Sequence, residues 1–110
     1  MSDSITPVTD ETFHDEVLDS PIPVLVDFYA DWCRPCRALA TKLPEYAKQL
    51  EGRVRFYKLN TDANPNVSTQ FTIRSIPTLV LFDHGVERHR AVGIPDILAM
   101  LRKILETPSP

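Results

Sequence analysis

A single α/β domain, a central mixed β-sheet flanked by helices on both faces, is the fold class that residues 1–110 predict, and three observations predict it. Val24-Leu25-Val26-Asp27-Phe28-Tyr29-Ala30 is apolar, β-branched and aromatic with no wet face, so it belongs centrally in a sheet covered on both sides. Leu39, Leu43, Tyr46 and Leu50 follow at intervals of four, three and four, the period of an amphipathic helix. Strand-like and helical segments then alternate until a hairpin and a final helix close the chain.

Taken in order, Ile5-Thr6 reads as a short edge strand ended by Pro7. Thr9 is an N-cap for a first helix, with Asp10 and Glu11 in its opening turn and Phe13, Val17 and Leu18 on one face. Ser20-Pro21 and Pro23 stop it. The central strand Val24 to Ala30 leads into a long helix from about Cys33 to Leu50, with Gly52 at its C-terminal left-handed position. Pro44 falls inside that helix, where it removes a backbone hydrogen bond at a cost of about 3 kcal/mol unless the helix bends. A kink is therefore expected between Ala40 and Pro44.

Val54 to Asn60 is the next strand. Asn64-Pro65 opens a short helix, cap then proline, with Val67 and Phe71 facing inward. Pro77 opens the apolar strand Thr78 to Phe82, and Asp83-His84-Gly85 reads as a three-residue hairpin loop. Val86 to Val92 returns antiparallel as an edge strand, blunted by Glu87, Arg88, His89 and Arg90 and broken by Gly93. Pro95 begins a last helix with Ile97, Leu98, Leu101, Ile104 and Leu105 on one side, and Thr107 to Pro110 is expected to fray.

A chain of 110 residues buries roughly 65% of its extended surface without disulfide or metal staples. Its net charge of −3, with acids and bases interleaved, gives no recruitment of nucleic acid or an anionic membrane. The N-terminus has no basic region followed by an apolar stretch, and no apolar run approaches the roughly 18 residues of a spanning helix. The expected compartment is the cytoplasm. There thiols are held reduced, and a lone close pair of cysteines is catalytic or metal-binding more often than structural.

That pair, the only two cysteines, lies in Trp32-Cys33-Arg34-Pro35-Cys36, where the central strand hands over to the helix. A helix start offers unpaired N–H groups and a positive dipole end, and both stabilise a thiolate. At i and i+3 there, two sulfurs come within disulfide reach at little backbone cost. Cys33, nearer the helix end and solvent, would attack a partner's disulfide, and Cys36 would resolve the mixed disulfide. The alternatives are inert core thiols or half a zinc site, but structural zinc takes four ligands and there is no second cysteine pair.

Pro35 stiffens the first turn of the helix. Trp32 is either a contact surface over the rim or an ordinary core aromatic. Asp27 is an acid in an apolar strand, so it is neutral, paired or wet. Burial would raise its pKa toward neutrality, as a general base requires, and Lys58 on the neighbouring strand would pull it back down. A structural buried pair is the bland alternative.

The segment Val24 to Arg37 resembles thioredoxins, and the similarity continues through Lys58-Leu59-Asn60 and Ile76-Pro77-Thr78 to Val92-Gly93. The resemblance implies the thioredoxin fold over the whole chain and a protein-disulfide reductase that carries no cofactor or metal of its own. It also implies that a flavin-dependent thioredoxin reductase recharges the protein and that it acts as a monomer in electron transport and cell redox homeostasis. It places Asp27 behind the resolving cysteine, where it helps take the proton. It makes the Ile76–Pro77 bond cis, packed against the sulfurs, with the Ile76 backbone free to pair with an extended substrate segment. Gly93, on the same grounds, lets a partner chain approach closely, or simply breaks a strand.

Arg34 is a departure from the glycine common in the family. A charge roughly 6 Å away in water contributes about 0.7 kcal/mol, half a pKa unit and about 15 mV toward the oxidising end. The family sets the reducing end of a scale that spans about 7 kcal/mol up to a strong dithiol oxidase, so Arg34 adjusts partner choice toward acidic surfaces instead. Tyr29, Thr72 and Ser75 are further departures, at positions of packing and contact. Two rival functions stay open: an oxidase or isomerase outside the cytoplasm, and a binding module whose thiols are incidental.

Overall fold

A computed structural model describes residues 5–107. Its five-stranded sheet has the order β1-β3-β2-β4-β5, with β1 Ile5–Pro7, β2 Val24–Tyr29, β3 Arg55–Asn60, β4 Thr78–Asp83 and β5 Val86–Val92. β1 and β2 run parallel to β3, whereas β4 is antiparallel to β2 and to β5. The sheet is mixed, and the continuous apolar run of β2 lies at its centre as expected. Alternation along β2 divides the core. Val24, Val26 and Phe28 pack on one face with Val17, Tyr57, Leu59, Val67 and the ring trio Phe13, Phe71 and Phe82. Leu25 packs on the other with Leu39, Leu43, Leu50, Phe56, Ile97 and Leu101. Asp27 shares that second face.

The long helix is two helices, α1 Arg34–Ala40 and α2 Leu43–Gln49, separated at Thr41 and Lys42. Pro44 therefore sits in the first turn of α2, where its missing N–H would have been unpaired in any case. The expected bend is a full break, three residues ahead of the proline. α3, Pro65–Gln70, starts after Asn64, but the Asn64 side chain does not cap it. Asp10 does so from across the fold. Its carboxylate accepts from the backbone N–H of Asn66 at 3.1 Å and of Val67 at 2.9 Å, while Asn64 Oδ1 accepts from the Asp10 N–H.

Asp10 thus corrects the reading that placed it in the opening turn of a first helix. That helix is itself shorter than its pattern suggests. Thr9 accepts the N–H groups of Thr12 and Phe13 through its carbonyl, and a single wide π-helical segment, His14–Leu18, follows. Phe13 and Val17 are buried as expected.

The hairpin loop has two residues, not three, because Asp83 pairs with Val86 and so belongs to β4. Both loop residues take left-handed backbone, His84 at φ 51° and Gly85 at φ 78°, the conformation that follows the natural twist of the strands. A bulge opposite Leu81 and Phe82 adds one residue to β5. α4, Ile94–Glu106, begins one residue before Pro95, with Ile97 and Leu101 buried and Leu98, Ile104 and Leu105 packed beside them. Of the stretch expected to fray, residues 108–110 lie outside the described residues, and no helix among the described residues is long and apolar enough to cross a membrane.

Candidate active site

The cysteines lie at the end of β2 and the start of α1, on the side of the sheet that carries α1, α2 and α4. Cys33 is the N-cap of α1, in extended backbone with φ −87° and ψ 111°. Its Sγ accepts the backbone N–H of Cys36 at 3.2 Å, in the way a serine or aspartate oxygen caps other helices. The two residues form a disulfide across a Cα–Cα distance of 5.2 Å, within the ordinary range. Both are buried, Cys33 at 4% exposure and Cys36 at 3%, so exposure does not separate them. Their surroundings do. Cys33 Sγ lies 3.9 Å from the Ile76 carbonyl oxygen, on the outer side, whereas Cys36 forms part of the wall of an inner cleft.

That cleft, of about 300 Å³, is lined by Asp27, Tyr29, Ala30, Asp31, Cys36, Arg37, Ala40 and Lys58. Asp27 and Lys58 are register partners on β2 and β3, as the sequence suggested. They do not close an ion pair, and Asp27 Oδ1 is buried with no hydrogen-bond partner. Burial pushes the Asp27 carboxyl up from 3.8 to about 7, and the nearby Lys58 charge opposes that rise without cancelling it. A carboxyl poised near neutrality in a cleft bounded by one of the two sulfurs can exchange a proton with it.

The outer side is assembled from three segments. Trp32 is 69% exposed, which excludes the core-aromatic alternative, and its Nε1–H donates to Asp62 at 2.8 Å. Arg34 and Pro35 are exposed in the first turn of α1. Ile76 packs against Ala30, Cys33 and Cys36, and the Ile76–Pro77 bond is cis, as the resemblance implied. Gly93 lies beside them, its N–H donating to the Pro77 carbonyl at 3.0 Å. Gly93 has φ 85° with open space where a Cβ would stand, so its backbone angle, not crowding, calls for glycine there.

Sequence reasoning quoted Val92 with Gly93 in the resemblance but gave it no role of its own, and it missed Asp62. Val92 is 46% exposed and pairs with Thr78, next to Pro77, and no local pattern separates it from the other residues of an edge strand. Asp62 holds the indole of Trp32 from thirty residues away, a contact without a short-range signature. A larger groove of about 1260 Å³ includes Val92 but neither cysteine, and it runs between α4 and the hairpin, away from the disulfide. Among the described residues, the one cluster with metal-ligand geometry is the exposed His14, Asp15 and Asp19, not the cysteines.

The family model described as Thioredoxin matches residues 4–106. Thioredoxin 1 of Nostoc sp. is 55% identical over 86 residues, covering 78% of this chain and 80% of that one. The thioredoxin of Rickettsia felis is 47% identical over 87 residues, covering 79% and 83%. That of Griffithsia pacifica is 43% identical over 101 residues, covering 92% and 93%.

Proposed function

The chain belongs to the thioredoxin family of thiol–disulfide oxidoreductases, and from that premise we propose that Cys33 attacks and Cys36 resolves. The single observation that carries this order is the Cys36 N–H on Cys33 Sγ at the head of α1. In the dithiol form the same donor and helix end stabilise a Cys33 thiolate, whereas among the described residues no donor meets Cys36 Sγ. The Cys33 thiolate forms a bond to one sulfur of a substrate disulfide and expels the other as a thiolate. Cys36, having given its proton to Asp27, then attacks Cys33 Sγ and expels the second substrate thiolate. Two electrons pass to the substrate, and the protein is left with the Cys33–Cys36 disulfide.

Asp27 is suited to its part because burial holds its pKa near the working pH, and Lys58 keeps that value from rising further. Trp32, Arg34, Pro35, Ile76, Pro77 and Gly93 form the surface on which an extended substrate segment lies, with the Ile76 backbone as its strand partner. The substrates are disulfide-containing proteins, and a flavin-dependent thioredoxin reductase restores the dithiol. One sheet with a core on each face supports a single domain, and a monomer acting in the cytoplasm belongs to the same proposal.

Replacing Cys36 with serine tests the order. Cys36→Ser is expected to stall at the mixed disulfide and retain substrate covalently, an adduct that mass spectrometry detects and dithiothreitol releases. Cys33→Ser is expected to form none. Adducts on Cys36 of the Cys33→Ser variant, with none on Cys33 of the other, would reverse the assignment.

A further inference from the structure

Two arginines on the segments that flank the disulfide, Arg34 and Arg74, are left free by the fold. Arg34 occupies the first position of α1, directly after Cys33, and no acid stands in that first turn. A cation there opposes the helix dipole, so the position contributes nothing to helix stability. Arg74 lies in the loop before β4, two residues ahead of Ile76, and two residues span at most about 7 Å. Its backbone therefore lies within about 7 Å of Ile76, whose carbonyl oxygen is 3.9 Å from Cys33 Sγ. Both side chains are exposed, and among the described residues neither guanidinium makes an ion pair or hydrogen bond.

The nearby charges are otherwise engaged or set apart. Arg37 donates to the Asp31 carbonyl, and Asp62 is held by Trp32. Of the acids here, Asp27 and Asp31 line the inner cleft, Asp62 is held by Trp32 and Asp96 stands in the first turn of α4, whereas the free cations lie at the α1 start and in the loop before β4. A free guanidinium offers a planar fork of donors that matches a carboxylate.

We propose that Arg34 and Arg74 select substrate disulfides flanked by acidic residues, binding the carboxylates beside the target bond before Cys33 attacks. The inference rests on the reductase reading above and names the class of substrate for the same site.

Two cyclic disulfide peptides, identical except for Asp or Asn beside both cysteines, provide the test. Each rate of reduction by the dithiol protein is divided by the rate with dithiothreitol, which removes the peptides' intrinsic difference. The ratio of the two also cancels any change in Cys33 reactivity. At low salt the wild-type protein is expected to prefer the acidic peptide by about tenfold, since one guanidinium–carboxylate pair about 6 Å apart in water is worth about threefold, and two arginines act together. Arg34→Gln and Arg74→Gln are each expected to lower the preference about threefold, and the double variant or 0.5 M salt to bring it near one. Equal rates with the wild-type protein, or a preference unchanged in the double variant, would overturn the inference while leaving the reductase reading intact. Reduction of neither peptide would overturn both.

Discussion

Thr72 has φ 54°, in the left-handed region where a β-branched side chain is strained by about 1–2 kcal/mol. Its neighbours hold it there. Arg90 donates to the Phe71 carbonyl at 2.6 Å and the Thr72 carbonyl at 3.1 Å, and is itself gripped by Glu87 at 2.7 Å. These bonds use only the backbone of Thr72, so a glycine would keep them and shed the strain. Against this stands the extra chain entropy that glycine loses, roughly 0.5–1 kcal/mol. Thr72→Gly is therefore expected to stabilise the fold by up to about 1 kcal/mol, read as a higher denaturant midpoint with an unchanged slope. A lower midpoint would mean that the threonine side chain makes a contribution larger than its strain. The same residue marks a limit of sequence reading. The resemblance marked Thr72 as a departure, but nothing local to it gives the sign of its backbone angle.

Among the elements, α3 depends on a residue it does not contain. Asp10 supplies both hydrogen bonds to the start of α3 and places a negative charge at its positive dipole end. Asp10→Ala is expected to cost about 1–2 kcal/mol, the usual value of an N-cap. Asp10→Asn, which keeps an acceptor but not the charge, should lose less. Equal losses would mean that charge carries the whole contribution, and no loss in either would show the cap to be energetically idle. The periodicity of α3 was legible because Val67 and Phe71 must face the core, whereas its cap was not. A local rule looks one residue upstream and finds Asn64, whose amide instead donates to the Asn60 carbonyl at 3.1 Å and whose oxygen serves Asp10. The break between α1 and α2 was legible for the opposite reason. A proline inside an apolar helical pattern is a conflict between two local signals, and the chain resolves it by starting a new helix at Leu43.

At the scale of the whole molecule, the sheet was readable because β2 has no polar face, and that same completeness singled out Asp27 as an intruder. The cysteine pair was equally plain. What the sequence could not supply was the balance between burial and Lys58, since a one-dimensional pattern gives neighbours on two strands but not the depth of either. The structure decides it in favour of burial, with Asp27 near pH 7 in the fold against 3.8 in an open chain. A carboxyl whose pKa is raised by folding holds its proton in the native state over a range where the unfolded chain has released it. Its protonated form lends stability that is fully present below about pH 3.8 and is lost as pH rises to about 7. The total is on the order of 4 kcal/mol, a large part of what a domain of this size possesses. Asp27→Asn removes this component. Its stability relative to the wild-type protein is therefore expected to climb steadily between about pH 4 and pH 7 and then level off, whatever constant offset the amide introduces. Parallel pH profiles of unfolding for the two proteins would show that Asp27 is solvated in the native state, and its value as a base would go with that. If the profiles diverge as expected, the stabilised variant should also resolve mixed disulfides more slowly at neutral pH, because the proton on Cys36 has lost its acceptor. The buried acid then destabilises the fold for the same reason that it serves the reaction.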